Sequence, residues 1–253
     1  GMSDDDYIQY LIDEAEFAFA NTIDSEDVAC FIAECVQGEG GFIPQPAKYL
    51  KAIKDLCEKY GILYIADEIQ SGFCRTGKFF AIEHMGFNPD IMTIAKSMAD
   101  GMPLAATLVK SELDKVKGGQ LGGTYMGNAV ACAASCAAVD AFKANDFCGR
   151  AVQIGDYIKA RVEKMMAKHA QIGDFRGLGA MCAMEIVEDP KTKKPGAKLL
   201  GQIIKECNKR GMLVLACGMR GNNMRFLPPL VITDEQLAQA MDILEEACDV
   251  VLD

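Results

Sequence analysis

The sequence predicts an α/β fold: a mostly parallel sheet domain over residues 1–147, followed by a small α+β domain over 148–253. Three observations predict it. Two short apolar runs, ILYIA from Ile62 and IMTIA from Ile91, are bounded by turn residues and have the length of fully buried parallel strands. The helical pattern Pro46–Tyr60 stands directly before the first run. Beyond residue 148 the patterns run helix, strand, helix, strand, strand, helix, which suits a small α+β unit packed on the sheet domain.

Each element has its own local reason. Ile8, Leu11, Ile12, Ala15 and Phe19 recur at helical spacing between Ser3 and Ala20, behind an acidic start that suits the helix dipole. VACFIAEC, from Val28, reads as a buried strand that ends at Glu34. In Pro46–Tyr60, Tyr49, Ile53, Leu56 and Tyr60 share a face, and Gly61 sits where a left-handed cap is wanted. A glycine turn then precedes a further strand, Leu104–Val109. Asn128–Ala144 is rich in small residues and predicts a tightly packed helix beneath a site. Gly155–Ala170 is helical with Ile158, Val162 and Met165 or Met166 inward, and Asp174–Val187 turns at its glycines and then alternates like a half-buried strand. Asp189–Gly196 is a lysine-bearing polar loop, Ala197–Lys209 a helix ending before Gly211, and MLVLACG and MRFLPPLVI are strands. Thr233 and Gln236 form a capping box for the last helix, with Leu237, Leu244 and Val251 facing inward.

Composition narrows the function. With 36 acidic against 26 basic residues the net charge is −10, which argues against nucleic acid or an anionic membrane as partner. Eleven cysteines lack C-x-x-C spacing, and Cys30, Cys35, Cys182 and Cys217 sit in apolar runs, so reduced, buried thiols and a cytoplasmic setting are expected. Two histidines are too few for a histidine-based metal site or a Ser-His-Asp triad, and no metal is expected. No apolar run has membrane-spanning length. Gly1 ahead of Met2 reads as an added residue.

The two apolar runs deliver chemistry. The first is followed by Asp67 and the second by Lys96, so a carboxylate and a primary amine reach the carboxyl edge of the sheet, where ligands of open α/β sheets gather. An amine in a dry pocket forms a Schiff base with an aldehyde, because desolvation frees its lone pair. A buried carboxylate holds a proton on a pyridine nitrogen. Pyridoxal phosphate chemistry uses both groups. Two charged residues ending strands in solvent would give the same spacing, so spacing alone leaves both readings open.

Further motifs bear on the choice. VQGEGGF places Glu39 among three glycines after a strand. GGQLGGTYMGN offers the Thr124 hydroxyl and free backbone N–H groups to a phosphate oxygen, without the lysine of a P-loop. Arg225, flanked by apolar residues, is either a surface residue at a strand start or a group awaiting a carboxylate. Arg75 and Lys78 read as structural or surface charges, and His84 as a satisfied helix-end group.

DEIQSGFCRTGK, PDIMTIAKS, GGTYMGN, the EGG after ECVQ and MRFLPPLVI together resemble the class III pyridoxal-phosphate aminotransferases, in the family's order over nearly the whole chain. GGQLGGTYMGN and CGMRGNNMRFLPPL most resemble the 4-aminobutyrate type. The resemblance implies part of the fold-type-I transferase architecture and pyridoxal 5′-phosphate as cofactor. It implies that Lys96 carries the cofactor, Asp67 partners the pyridine nitrogen, Gln70 lies by the phenolic oxygen, and Thr124 reaches the phosphate in the other protomer of a homodimer. Arg225 would hold a substrate carboxylate, Glu39 would pair with that arginine when the substrate lacks an α-carboxylate, and Glu34 would stand just outside the cofactor contacts. The reaction implied is transamination from an ω-amino acid to 2-oxoglutarate; an acetylornithine or ornithine type is the neighbouring possibility. Asp100 departs from the glycine usual at its place. No counterpart of the family's phosphate-cradling turn, ring-stacking aromatic or N-terminal segment precedes Glu34, so a separate N-terminal chain, or an incomplete form acting as an interaction protein, is also implied.

Overall fold

The computed structural model describes residues 2–253; Gly1, read above as an added residue, lies outside them. In chain order the helices are α1 (Asp4–Asn21), α2 (Ala47–Tyr60), α3 (Ala129–Ala144), α4 (Phe147–Lys168), α5 (Ala197–Lys209) and α6 (Asp234–Leu252). The strands are β1 (Cys30–Glu34), β2 (Val36–Gln37), β3 (Ile43–Pro44), β4 (Leu63–Asp67), β5 (Ile91–Ile94), β6 (Ala106–Val109), β7 (Ile172–Leu178), β8 (Met181–Asp189), β9 (Lys194–Pro195), β10 (Leu215–Cys217) and β11 (Asn223–Phe226). They fall into two units. The first holds the chain up to Cys35, Gln45–Phe73 and Phe80–Asn145; the second holds Val36–Pro44, Cys74–Phe79 and Asp146–Asp253. The main division thus lies beside Asn145, and two short N-terminal segments group with the second unit.

The first unit is a four-stranded sheet in the order β1-β4-β5-β6, parallel except for β6. Ser3 caps α1 by accepting from the Asp6 N–H, ahead of three aspartates in the first turn. Gly61 ends α2 in the left-handed region, φ 70°, where a glycine pays no Cβ penalty. Leu50, Ile53 and Cys57 of α2 join Tyr64 and Ala66 of β4 in one core, with Ala15 and Phe19 of α1 and Phe31 of β1 packed against it. The strands expected to be buried on both faces are buried on one. Tyr64 and Ala66 are fully covered, while Leu63 and Ile65 are half-buried, and on β1 Cys30 is exposed and Ile32 is 56% exposed. The cause is one-sided packing: the helical core covers one face, and the other meets solvent. α3 is not the tightly packed helix expected; it buries only Ala131 and Ser135.

One buried charge cluster pins the start of β5. Asp90 accepts from Lys54 Nζ at 2.9 Å, from Lys110 Nζ at 2.7 Å and from the Tyr64 N–H at 2.9 Å. Burial alone would raise its carboxyl, but the bonds from Lys110, Tyr64 and Lys54 win and hold it at about 2.

The second unit is a five-stranded antiparallel sheet, β10-β11-β8-β7 with β9 on β8. β8 does not alternate as expected; Met181–Met184 are all buried. The helices α4 and α5 touch it, and Val36 and Phe42, from the β2–β3 hairpin, pack against Met181 and Ala183. The helix expected from Gly155 begins earlier, at Phe147, because Asp146 caps it by accepting from the Gly149 N–H. Thr233 and Gln236 make the capping box of α6. His169 ends α4, buried, with Nε2 2.8 Å from Asp249 Oδ1.

Candidate functional site

Three neighbouring parallel strands end on one rim. β1 ends at Glu34 and β4 at Asp67, which face each other in register; Asp67 is paired on its other side with Thr93 of β5. Lys96 follows two residues after β5 ends. One strand spacing and three extended residues put the Asp67 and Lys96 Cα atoms at most about 16 Å apart. Asp67 is half-buried, and its Oδ1 accepts from the Ile69 N–H at 3.0 Å, which fixes the carboxylate. Lys96 adopts φ 49°, in the left-handed region that costs a side-chain-bearing residue about 1 kcal/mol or more. Its side chain is exposed and lines an open cleft with Ser97, Asp100, Gly101, Met102 and Pro103. The Lys96 amine therefore stands in an open cleft and not in the dry pocket expected.

Among the described residues, three buried side-chain atoms of this unit lack a hydrogen-bond partner: the Tyr64 hydroxyl in the core, and Gln70 Oε1 and the Thr93 hydroxyl near the rim. Thr93 is the register partner of Asp67, so both side chains stand on one face of the sheet. Unpaired buried groups are costly, and their presence at a rim beside a carboxylate fits a polar ligand. The next residue points the other way. Glu68 is fully buried and accepts from Ser71 Oγ at 2.6 Å and from the Ala81 and Ile82 N–H groups at 3.0 and 2.6 Å. Burial pushes its carboxyl above the usual range despite those bonds.

A second constellation belongs to the second unit. Glu39 sits at the tip of the β2–β3 hairpin, and its Oε1 accepts from Arg225 Nη1 on β11. The partners differ in exposure: the Arg225 side chain is 18% exposed and that of Glu39 is 74% exposed. A half-sheltered guanidinium thus has one acidic partner that solvent can reach. An incoming carboxylate can replace that partner at little cost.

Thr124 lies on the exposed loop before α3, where Leu121, Tyr125 and Met126 are also exposed. Arg75 is structural and not a surface charge: its Nη1 donates to the Pro228 carbonyl at 2.5 Å, and its own carbonyl accepts from the Ala180 N–H. His84 closes a short 3-10 helix, Ala81–His84. Sequence reasoning passed over Thr93, Glu68, Arg176 and His169. A signal existed for Glu68, because side chains alternate along a strand and Asp67 and Glu68 must face opposite ways. None existed for Arg176, whose partners come from four separate segments.

The family described as aminotransferase class III matches residues 3–248, and the chain belongs to it. It is 42% identical over 246 residues to a probable 4-aminobutyrate aminotransferase of Bacillus subtilis (strain 168), covering 97% of this chain and 56% of that protein. It is 41% identical over 250 residues to a 5-aminovalerate aminotransferase of Pseudomonas aeruginosa, covering 98% of this chain and 58% of that one. Among solved structures, a thermostable (S)-enantioselective omega-transaminase from Thermomicrobium roseum superposes with a TM-score of 0.90 at 32% identity, over 100% of this chain and 57% of that one. The chain therefore spans a little over half the length of the relatives it matches. Its fold is a part of the fold-type-I transaminase architecture, as the motifs implied.

Proposed function

We propose that this chain carries the lysine, the ring-nitrogen carboxylate and the carboxylate clamp of a class III aminotransferase. Its cofactor is pyridoxal 5′-phosphate, and it moves an amino group from an ω-amino acid of the 4-aminobutyrate type to 2-oxoglutarate. The observation that carries this reading is the arrival of Asp67 and Lys96 on one rim from the adjacent parallel strands β4 and β5. Bound pyridoxal phosphate supplies an electron sink that weakens the C–H bond beside the amine.

The chain's own groups do the rest. Asp67 keeps the pyridine nitrogen protonated by ion pairing. Lys96 Nζ would hold the cofactor and, as general base and acid, would take the proton from the donor carbon and return it. Gln70, with its unpaired buried oxygen, would help hold the cofactor, and Glu34 would support Asp67 from the next strand. Arg225 binds the carboxylate of 2-oxoglutarate, and Glu39 neutralises that arginine when the donor has no α-carboxylate. Thr124, on its exposed loop, serves the phosphate of the other protomer in a homodimer. The names of the 4-aminobutyrate and 5-aminovalerate relatives support a donor with its amine remote from its carboxylate.

A second reading is favoured by the exposure of Lys96 in an open cleft: a chain that folds and associates without catalysing. One experiment separates the two. The purified chain is incubated with pyridoxal phosphate, reduced with borohydride and mapped by mass spectrometry. The active reading expects a pyridoxyl label concentrated at Lys96 and lost in Lys96→Ala. Equal labelling of surface lysines, or none at Lys96, leaves only the second reading.

A further inference from the structure

The sheet of the second unit aligns two arginines in one row. Arg176 on β7 is paired with Ala183 on β8, and Ala183 is paired in turn with Arg225 on β11. Directly paired residues of antiparallel strands project to the same face. Both guanidinium groups therefore flank the small, fully buried Ala183, and Phe42 of the β2–β3 hairpin packs in the cluster with Ala183, Met181 and Cys217. The hairpin tip carries Glu39. It is held by both arginines, but through different atoms.

Among the described residues, the Arg225 side chain donates only to the Glu39 carboxylate. Arg176 holds the backbone: its Nε and Nη2 donate to the Gly41 carbonyl at 3.1 and 2.9 Å. Its remaining N–H groups go to Asn223 Oδ1 at 2.6 Å and to Asp174 and Glu185 carboxylates at 2.7 Å each. All five donors of the guanidinium are then engaged. An arriving carboxylate finds no free N–H there, whereas at Arg225 it competes with one exposed side chain. The backbone of the tip needs such a clamp. Phe42 is held at φ 52°, unfavourable for an aromatic residue, and Gly41 at φ 129°, which only glycine adopts readily. A Cβ on Gly41 would stand 3.2 Å from Arg176 Nη2 and 3.3 Å from Asn223 Nδ2. On the other side of the tip, the Glu39 carbonyl accepts from the Gly218 N–H at 2.9 Å.

We infer that Arg176 is the positioning residue of the Glu39–Arg225 gate: it fixes the Gly41 carbonyl so that the gate opens by rotation of the Glu39 side chain alone, with the hairpin backbone held still. This deepens the proposed role of Glu39 and Arg225 and rests on it. The two arginines divide the work, one giving a fixed hinge and the other an exchangeable anion site.

Amide hydrogen exchange on the purified chain tests the inference. In Arg176→Lys, exchange at Phe42 and Gly218 accelerates by about tenfold or more, as expected when charge-assisted bonds to a strained turn are lost. The amides of β8 keep their protection. In Glu39→Gln, exchange at the tip stays at the wild-type rate, because the ion pair does not hold the backbone. Should Arg176→Lys fail to fold, Gly41→Ala attacks the same contact from the hairpin side and must give the same local acceleration. An unchanged tip, a uniform acceleration over the whole unit, or a Glu39→Gln effect equal to that of Arg176→Lys overturns the clamp. Failure of the gate itself would show separately: Arg225→Lys would then leave the apparent affinity for 2-oxoglutarate unchanged, whatever the exchange rates.

Discussion

Asp90 stands one residue before β5, the strand that leads to Lys96, so its ion pairs anchor the amine's supporting strand at the opposite end. The perturbation is Asp90→Asn. In the wild-type chain Asp90 is 9% exposed and its carboxyl is held at about 2, against an ordinary 3.8. At about 1.4 kcal/mol per unit this is worth about 2 kcal/mol at neutral pH. A depressed carboxyl stabilises the fold above its unfolded value and loses that stabilisation as pH falls toward its folded value. The full effect is thus expected above about pH 4, and roughly half of it at pH 3. The substitution also leaves Lys54, 6% exposed, with only the outward Glu58 at 3.1 Å. Its total cost at neutral pH is therefore larger, on the order of 3 kcal/mol. Urea denaturation, followed by circular dichroism and tyrosine fluorescence between pH 7 and pH 3, reads the difference between wild type and variant. A gap of about 3 kcal/mol that narrows by about 1 kcal/mol at pH 3 is expected. A gap that stays constant with pH, or one below about 0.5 kcal/mol, would refute the reasoning, because the cluster would then behave as a solvated surface pair.

Two further outcomes follow from the rim. Asp67→Ala, assayed in the assembly that turns over, is expected to lower kcat by more than a hundredfold while retaining most of the cofactor, since the proposed function has the carboxylate act on the ring nitrogen and Lys96 make the attachment; parallel loss of both would contradict that division. Asp100 holds φ 42° beside Lys96. Asp100→Gly is expected to be neutral or to stabilise by up to about 1 kcal/mol, because glycine adopts that backbone freely; thermal melting that shows a clear loss of stability would assign the aspartate side chain a role of its own.

The parts of the fold legible in the sequence are those set by neighbours in the chain. The bounds of α5, the Gly61 cap and the Thr233–Gln236 box follow from residues within one or two turns. That Asp67 and Lys96 follow adjacent parallel strands was legible too, because two short apolar runs each precede a polar residue and parallel strands share an edge. Other features depend on what lies across space. An apolar run looks the same whether one face or both are covered, so the half-exposed state of β1 and β4 left no mark on the pattern. The small residues of α3 describe what it could pack against, and only Ala131 and Ser135 are buried. Arg176 gathers groups from positions 41, 174, 185 and 223, a set that exists only once the β7, β8 and β11 register is known.

The grouping of Val36–Pro44 and Cys74–Phe79 with the C-terminal sheet makes the second unit a mosaic of three chain segments. No single cut of the gene would excise it whole. A clone of residues 146–253 would forfeit Phe42 and Val36 from beneath Ala183, and Arg75 with its bond to the Pro228 carbonyl. Recombination with another member of the family must transplant all three pieces from one parent. A chimera that mixes them inherits mismatched seams in the hairpin that bears Glu39.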